Sequence, residues 1–182
     1  MFIQTESTPN PLTLKFLPGV PVMPSGTLFI TSREQAKTSP LAATLFAVEG
    51  VSAVFFGSDF ITVTKNEESH WEALKPILLT VIMDHFVAGK PVMGAAQAAA
   101  EDSAGDSELE KQIRELIDTR VRPAVAQDGG DIVFRGFKDG IVSLELHGSC
   151  SGCPSSTVTL KNGIENMLKH YVPEVVAVEA VQ

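Results

Sequence analysis

Between Ala88 and Gly105 the sequence reads AGKPVMGAAQAAAEDSAG, a run of small and polar residues with no sustained spacing of large apolar ones. Such composition predicts a flexible linker rather than a packed element, with a helix over Ala95–Ala100 as the alternative. A chain of 182 residues interrupted in this way is expected to form two small domains, residues 1–87 and 106–182, joined by residues 88–105. Charge divides evenly, with 6 basic and 10 acidic groups in residues 1–105 and 8 and 12 in residues 106–182. Neither half is a basic arm, and a net charge of −8 argues against nucleic acid as a partner. No run approaches the roughly 18 apolar residues of a membrane span, so no membrane partner is expected. The first residues, Met1-Phe2-Ile3-Gln4-Thr5-Glu6, lack a basic region and read as neither a secretory signal nor an Arg-rich transit peptide.

The N-terminal half opens with two strand-like runs, Phe2–Thr5 and Leu12–Leu17, parted by Pro9-Asn10-Pro11. Pro18–Gly26 reads as loop. Ser39 followed by Pro40 marks a helix start, with Leu41, Leu45 and Val48 on one face and Gly50 at its end. Val51–Phe56 and Phe60–Lys65 form a hairpin around Gly57-Ser58-Asp59. Ser69 and Glu72 have capping-box spacing before a helix carrying Leu74, Leu78, Val81, Ile82 and Phe86, in which Pro76 marks a kink or the true start. Trp71 and Phe86 suit core or a partner-facing surface. The half is a small α+β domain.

In the C-terminal half, Ser107 and Glu110 form a second capping box ahead of Leu109, Ile113, Leu116, Ile117 and Val121. Pro123 and then Gly129-Gly130 punctuate that helix. Asp131–Phe137 and Ile141–His147 flank Lys138-Asp139-Gly140, whose Asp-Gly pair favours a tight hairpin. A second helix with Leu160, Ile164, Met167, Leu168 and Tyr171 follows, stopped by Pro173, before a last strand at Val175–Val181. The expected order is α-β-β-α-β, with a CxxC loop between the second strand and the second helix.

That loop reads His147-Gly148-Ser149-Cys150-Ser151-Gly152-Cys153-Pro154. Two cysteines separated by two residues can turn both sulfurs towards one metal or cluster edge, and the glycines permit the tight backbone this needs. Pro154 suits the first position of a helix, which would set Cys153 near the N-cap, where thiolate is favoured over thiol. Ionised, accessible sulfur is the expectation. Two cysteines packed in a loop for structure alone are the plainest reading. A thiol–disulfide oxidoreductase fits the strand-to-helix corner, although the preceding strand is a hairpin arm and no aromatic residue precedes Cys150. A structural zinc needs four ligands, and the pair supplies two. His147 could join them, yet it shares the polar face with Glu145 and reads as solvated, as does His170. An iron–sulfur cluster, [4Fe–4S] or [2Fe–2S], takes four thiolates as a rule. One chain offers two, so a cluster would bridge a symmetric homodimer. Gly129-Gly130 follows a helix and precedes a strand, which is turn geometry and not a phosphate cradle. Asp128 and Asp131 are expected to cap backbone groups of that turn, and Arg120, Arg122 and Arg135 to form a solvated face.

Arg122-Pro123, Gln127-Asp128-Gly129-Gly130-Asp131, the block Gly148 to Thr157 and Glu165 resemble the C-terminal domain of NifU, the Nfu-type iron–sulfur scaffold module. Thr5–Phe16, Phe55-Phe56-Gly57, Trp71 with Leu74-Lys75-Pro76, and Ile82–Phe86 resemble the companion Nfu N-terminal domain. The resemblance implies a non-enzymatic scaffold or carrier in which Cys150 and Cys153 ligate a [4Fe–4S] cluster between two subunits, with [2Fe–2S] the other option. It implies upstream cluster-assembly proteins and recipient apoproteins as partners. The presequence of eukaryotic relatives is not seen, which predicts a bacterial cytoplasmic protein or a chain trimmed to its mature form.

Overall fold

The structure is a computed structural model that describes residues 1–94, 107–151 and 154–181, side chains of residues 154–156 excepted. It falls into two compact units divided after residue 99. The first is built on strands Gln4–Ser7 (β1), Thr13–Leu17 (β2), Leu28–Ile30 (β3), Val51–Phe56 (β4) and Ile61–Lys65 (β5), which form an antiparallel sheet in the order β1-β2-β5-β4-β3. Helices α1 (Arg33–Ala36), α2 (Pro40–Phe46) and α3 (Trp71–Val87) complete it. Alternation along the strands puts Phe16, Ile30, Val54, Phe56, Ile61 and Val63 into one core with Leu41 and Leu45 of α2 and Leu74, Leu78 and Ile82 of α3. Strand β3 and helix α1 were not anticipated, because three and four residues are too short to establish a period.

Helix α2 starts as its cap and proline dictate: the Ser39 hydroxyl accepts from the Ala42 amide, with Pro40 in the first turn. Helix α3 does not. The Ser69–Glu72 capping box is absent, since the Asn66 side chain takes the Ser69 amide at 2.9 Å and the helix begins after His70. The Ser69 hydroxyl lies instead against Gly50, whose φ of 100° and lack of a side chain make the room. Pro76 does not start α3, which begins at Trp71 and continues through it.

Residues after α3 correct the expected linker. Lys90–Gly94 fold back on the first unit: the Lys90 amide donates to the His85 carbonyl, the Ser39 hydroxyl to the Val92 carbonyl, and the Gly94 amide to the Thr38 carbonyl. Val92 is buried in the core, which apolar composition alone would not show among so many small residues. Residues 95–105 of the expected linker, including the helical alternative, lie outside the described residues.

The second unit opens with one helical path in three pieces, α4 (Glu108–Leu116), a π-helical turn (Ile117–Val121) and α5 (Arg122–Gln127). The capping box forms: the Ser107 amide donates to Glu110 Oε2 at 2.7 Å and the Glu110 amide to Ser107 Oγ at 3.3 Å. Pro123 was expected to end the helix. It does not, because the Arg122 amide reaches back to the Ile117 carbonyl, and this wider turn lets a residue without N–H follow. Ile113, Ile117, Val121 and Val125 thereby stay on one buried row.

Strands β6 (Gly130–Lys138) and β7 (Ile141–Gly148) form the hairpin, and β8 (Ala177–Val181) joins β7 in parallel after helix α6 (Pro154–Tyr171). Asp139 and Gly140 have φ of 53° and 79°, the two-residue turn an Asp-Gly pair favours. Glu165 ties α6 to β8 by accepting the Val178 amide at 3.1 Å, while Lys169 donates to its other oxygen. Tyr171, expected on the apolar face, is exposed with the Arg120 guanidinium over its ring.

One group in the first unit makes stability depend on pH. His85 is buried, its Nε2 3.1 Å from the Pro91 carbonyl, and burial lowers its pKa. The folded state therefore takes up its proton at lower pH than the unfolded chain, whose value is about 6.5. The contribution is present above about pH 6.5 and lost as pH falls through the folded value. Urea unfolding of the first unit is expected to show a lower midpoint at pH 5 than at pH 7.5, and His85→Gln to flatten that difference.

Candidate functional site

The corner between β7 and α6 is shaped by glycine. Gly148 has a φ of 68°, a left-handed conformation that costs glycine nothing, and it turns the chain inward at the end of β7. Ser149 then anchors the chain. Its amide donates to the Gly129 carbonyl at 3.3 Å and its hydroxyl to the Asp128 carbonyl. The Ser151 amide closes a tight turn on the Gly148 carbonyl, and the Thr157 hydroxyl, from the start of α6, donates to the Cys150 carbonyl at 3.3 Å.

Cys150 is held from both sides and is 6% exposed, packed into the apolar core of the second unit. The expectation of an accessible sulfur is corrected for this residue. Gly130 supplies the reason. A side-chain carbon there would lie 2.7 Å from Cys150 Sγ and 2.8 Å from the His147 carbonyl, so only glycine leaves the sulfur its place. Cys153 and Gly152 lie outside the described residues, and so does the proposed seat of Cys153 at the start of α6.

The turn below Cys150 is held by charge. Asp131 is buried, accepts the Ile132 amide at 2.8 Å, and receives Arg122 Nε at 3.1 Å and a second guanidinium nitrogen at 3.3 Å. Arg122 also donates to Asp118 at 3.1 Å. Arg122 is thus no part of a solvated face, and Asp131 does more than cap a turn. A forked donor matches two carboxylates at once, which explains why arginine stands here.

His147 is corrected in the same sense. Its side chain is 14% exposed and its Nε2 lies 2.7 Å from Glu145 Oε1, while Arg135 Nε donates to the other carboxylate oxygen at 2.6 Å. Burial alone would raise the Glu145 pKa, but the bonds from His147 and Arg135 overcome it and hold the carboxyl below its usual range. His170 lies on the surface with its ring edge-on to Tyr171.

Among the described residues no group of three or more His, Cys, Asp or Glu side chains could hold a metal ion. No helix of the described residues is long and apolar enough to cross a membrane. Chemically, the corner offers a soft sulfur donor in a shielded, glycine-lined seat.

Two family models match the chain, "Scaffold protein Nfu/NifU N terminal" over residues 3–89 and "NifU-like domain" over residues 113–179. The human protein named "NFU1 iron-sulfur cluster scaffold homolog, mitochondrial" is 54% identical over 183 residues, covering all of this chain and 72% of the relative. The Drosophila virilis protein of that name is 55% identical over 184 residues and is covered to 62%. Among solved structures, a NifU-like protein from Saccharomyces cerevisiae has a TM-score of 0.48 at 27% identity, over 52% of this chain and 86% of that one. A Staphylococcus aureus protein has a TM-score of 0.41 at 26% identity, over 45% and 99%.

The expectation of a bacterial cytoplasmic protein is corrected by these relatives, which are named as mitochondrial. It rested on the composition of the first residues, and a chain spanning 62% to 72% of its relatives' length carries no compartment information there. With both halves matched in order and over half of all positions shared with the human scaffold homolog, the chain belongs to the Nfu/NifU family of iron–sulfur cluster scaffold proteins.

Proposed function

We propose that this chain carries a [4Fe–4S] cluster as cargo, held between two copies by Cys150 and Cys153 of each, and releases it to apoproteins. The observation that carries the reading is the seat of Cys150, a thiol positioned by Gly130, Gly148 and Ser149 at the mouth of a long helix. A cluster takes four thiolates as a rule, and the sequence offers two. A two-fold pair of these corners supplies the remainder.

The chain's own residues have distinct tasks in this reading. Cys150 is the fixed ligand, its sulfur shielded by the apolar core. Cys153, which precedes Pro154 in the sequence, is the second ligand of each copy. Ser149 and Thr157 keep the loop from collapsing when the cargo leaves. A cluster at a boundary between copies is exposed when the copies part, which suits transfer. Residues 106–182 then form the carrier, while residues 1–87 recognise assembly proteins and recipients. The mitochondrial relatives support that compartment as its place of work.

A thiol–disulfide oxidoreductase is the less favoured reading, since the relatives are named as iron–sulfur cluster scaffolds.

Anaerobic reconstitution with iron and sulfide is expected to give a chromophore that restores an apo [4Fe–4S] enzyme on mixing, and Cys150→Ser to abolish both. A colourless chain that reduces disulfides, or one that retains a zinc ion per chain and takes up no cluster, would overturn the proposal.

Gly130→Ala tests the seat. The new methyl meets Cys150 Sγ, so cluster lifetime is expected to fall about 10-fold or more, as for residues that orient a metal ligand. Stability is expected to drop by about 1–3 kcal/mol. Unchanged cluster lifetime in a chelator challenge would contradict the seat.

A further inference from the structure

We infer that Arg122 is a positioning residue for Cys150, acting through Asp131, an inference that rests on the reading of Cys150 as a cluster ligand. What joins them is the turn. Asp131 follows Gly130, against which Cys150 is packed, and Asp128 and Gly129 give Ser149 both of its anchoring carbonyls. Any shift of residues 128–131 therefore moves the floor and the anchor of Cys150 together.

The turn also makes backbone bonds of its own, the Asp128 amide to the Val125 carbonyl at 3.1 Å and the Gly129 amide to the Ala126 carbonyl at 3.0 Å. Gly129 is left-handed, with a φ of 79°, and glycines resist displacement least of all residues. Asp131 is buried, and a buried carboxylate stays in place only with a charged partner. Arg122 provides it with two nitrogens, at 3.1 and 3.3 Å, and is itself steadied by Asp118. Asp118 lies within the π-helical turn and Arg122 directly follows it, its amide making the wide bond. The irregular turn thus sets the root of the guanidinium as well as admitting Pro123. The clamp links the π-helical turn of the α4–α5 path to the Gly129-Gly130 turn that supports Cys150.

The test separates this from general destabilisation and from the cluster hypothesis. In a Cys153→Ser background Cys150 is the chain's one thiol, and its alkylation by iodoacetamide reports the seat without any cluster. Arg122→Met is expected to raise the alkylation rate roughly 10-fold. Asp131→Asn keeps an oxygen for the Ile132 amide but loses the ion pair, and should raise the rate similarly. The double variant should be no faster than the faster single one, because each removes the same clamp. Ile113→Ala, a cavity in the same core with a comparable loss in melting temperature, should leave the rate near that of the parent. In the two-cysteine chain, Arg122→Met should shorten the lifetime of the loaded cluster by a similar factor. Parent-like alkylation in Arg122→Met, equal acceleration in Ile113→Ala, or additive effects of the two clamp variants would each overturn the inference. Failure of the parent chain to load a cluster would instead refute the proposed function, while the alkylation series still decides the positioning role.

Discussion

The second unit depends on which residue of β6 stands opposite Gly148. In the hairpin Gly130 does, and the sulfur of Cys150 occupies the space that a side chain at that position would fill. A slip of one residue would put Asp131 opposite Gly148 and, since successive side chains point to opposite faces, reverse the whole strand. Ile132 and Phe134 would leave the core, and the buried carboxylate would lose its arginine. Register, core and cysteine loop are therefore one constraint.

Polar groups hold that register where apolar packing gives out. At the end of the hairpin, Arg122 and Asp118 secure Asp131, and Ser149 binds the carbonyls of the preceding turn. Along the outer face, Glu145 joins His147 to Arg135 on the neighbouring strand. The bonds from His147 and Arg135 hold the Glu145 carboxyl below its usual range, so it stays ionised at neutral pH. Each bond spans a place where a loop or strand end would otherwise be free to fray, and together they leave Cys150 little latitude.

Long periodic segments were legible in the sequence. The helices that carry Leu74, Leu78 and Ile82, or Ile164 and Leu168, stand where their spacing put them, and the Asp139-Gly140 turn is where an Asp-Gly pair belongs. The errors came from competition that spacing cannot register. Asn66 outbid Glu72 for the Ser69 amide, a π turn absorbed Pro123, and Val92 found a buried place amid residues read as linker. The cysteine pair drew attention by itself, but its support did not. Counting outward from the two-residue turn sets Asp131 opposite Gly148, whereas the bulge between Phe134 and Gly136 shifts the pairing by one. Without that bulge Gly130 looks like plain turn residue, and Arg122 and Asp131 look unrelated. Compartment was the other misjudgement, made from a composition that speaks only of the residues present.

Two thiols per chain and the proposed four-thiolate cargo put stoichiometry at the centre. Native mass spectrometry of the anaerobically reconstituted protein measures it directly. A species of two chains with one Fe₄S₄ unit, which falls to two separate apo chains when the cluster is removed, is the predicted result. A cluster or metal ion retained on a single chain would contradict it.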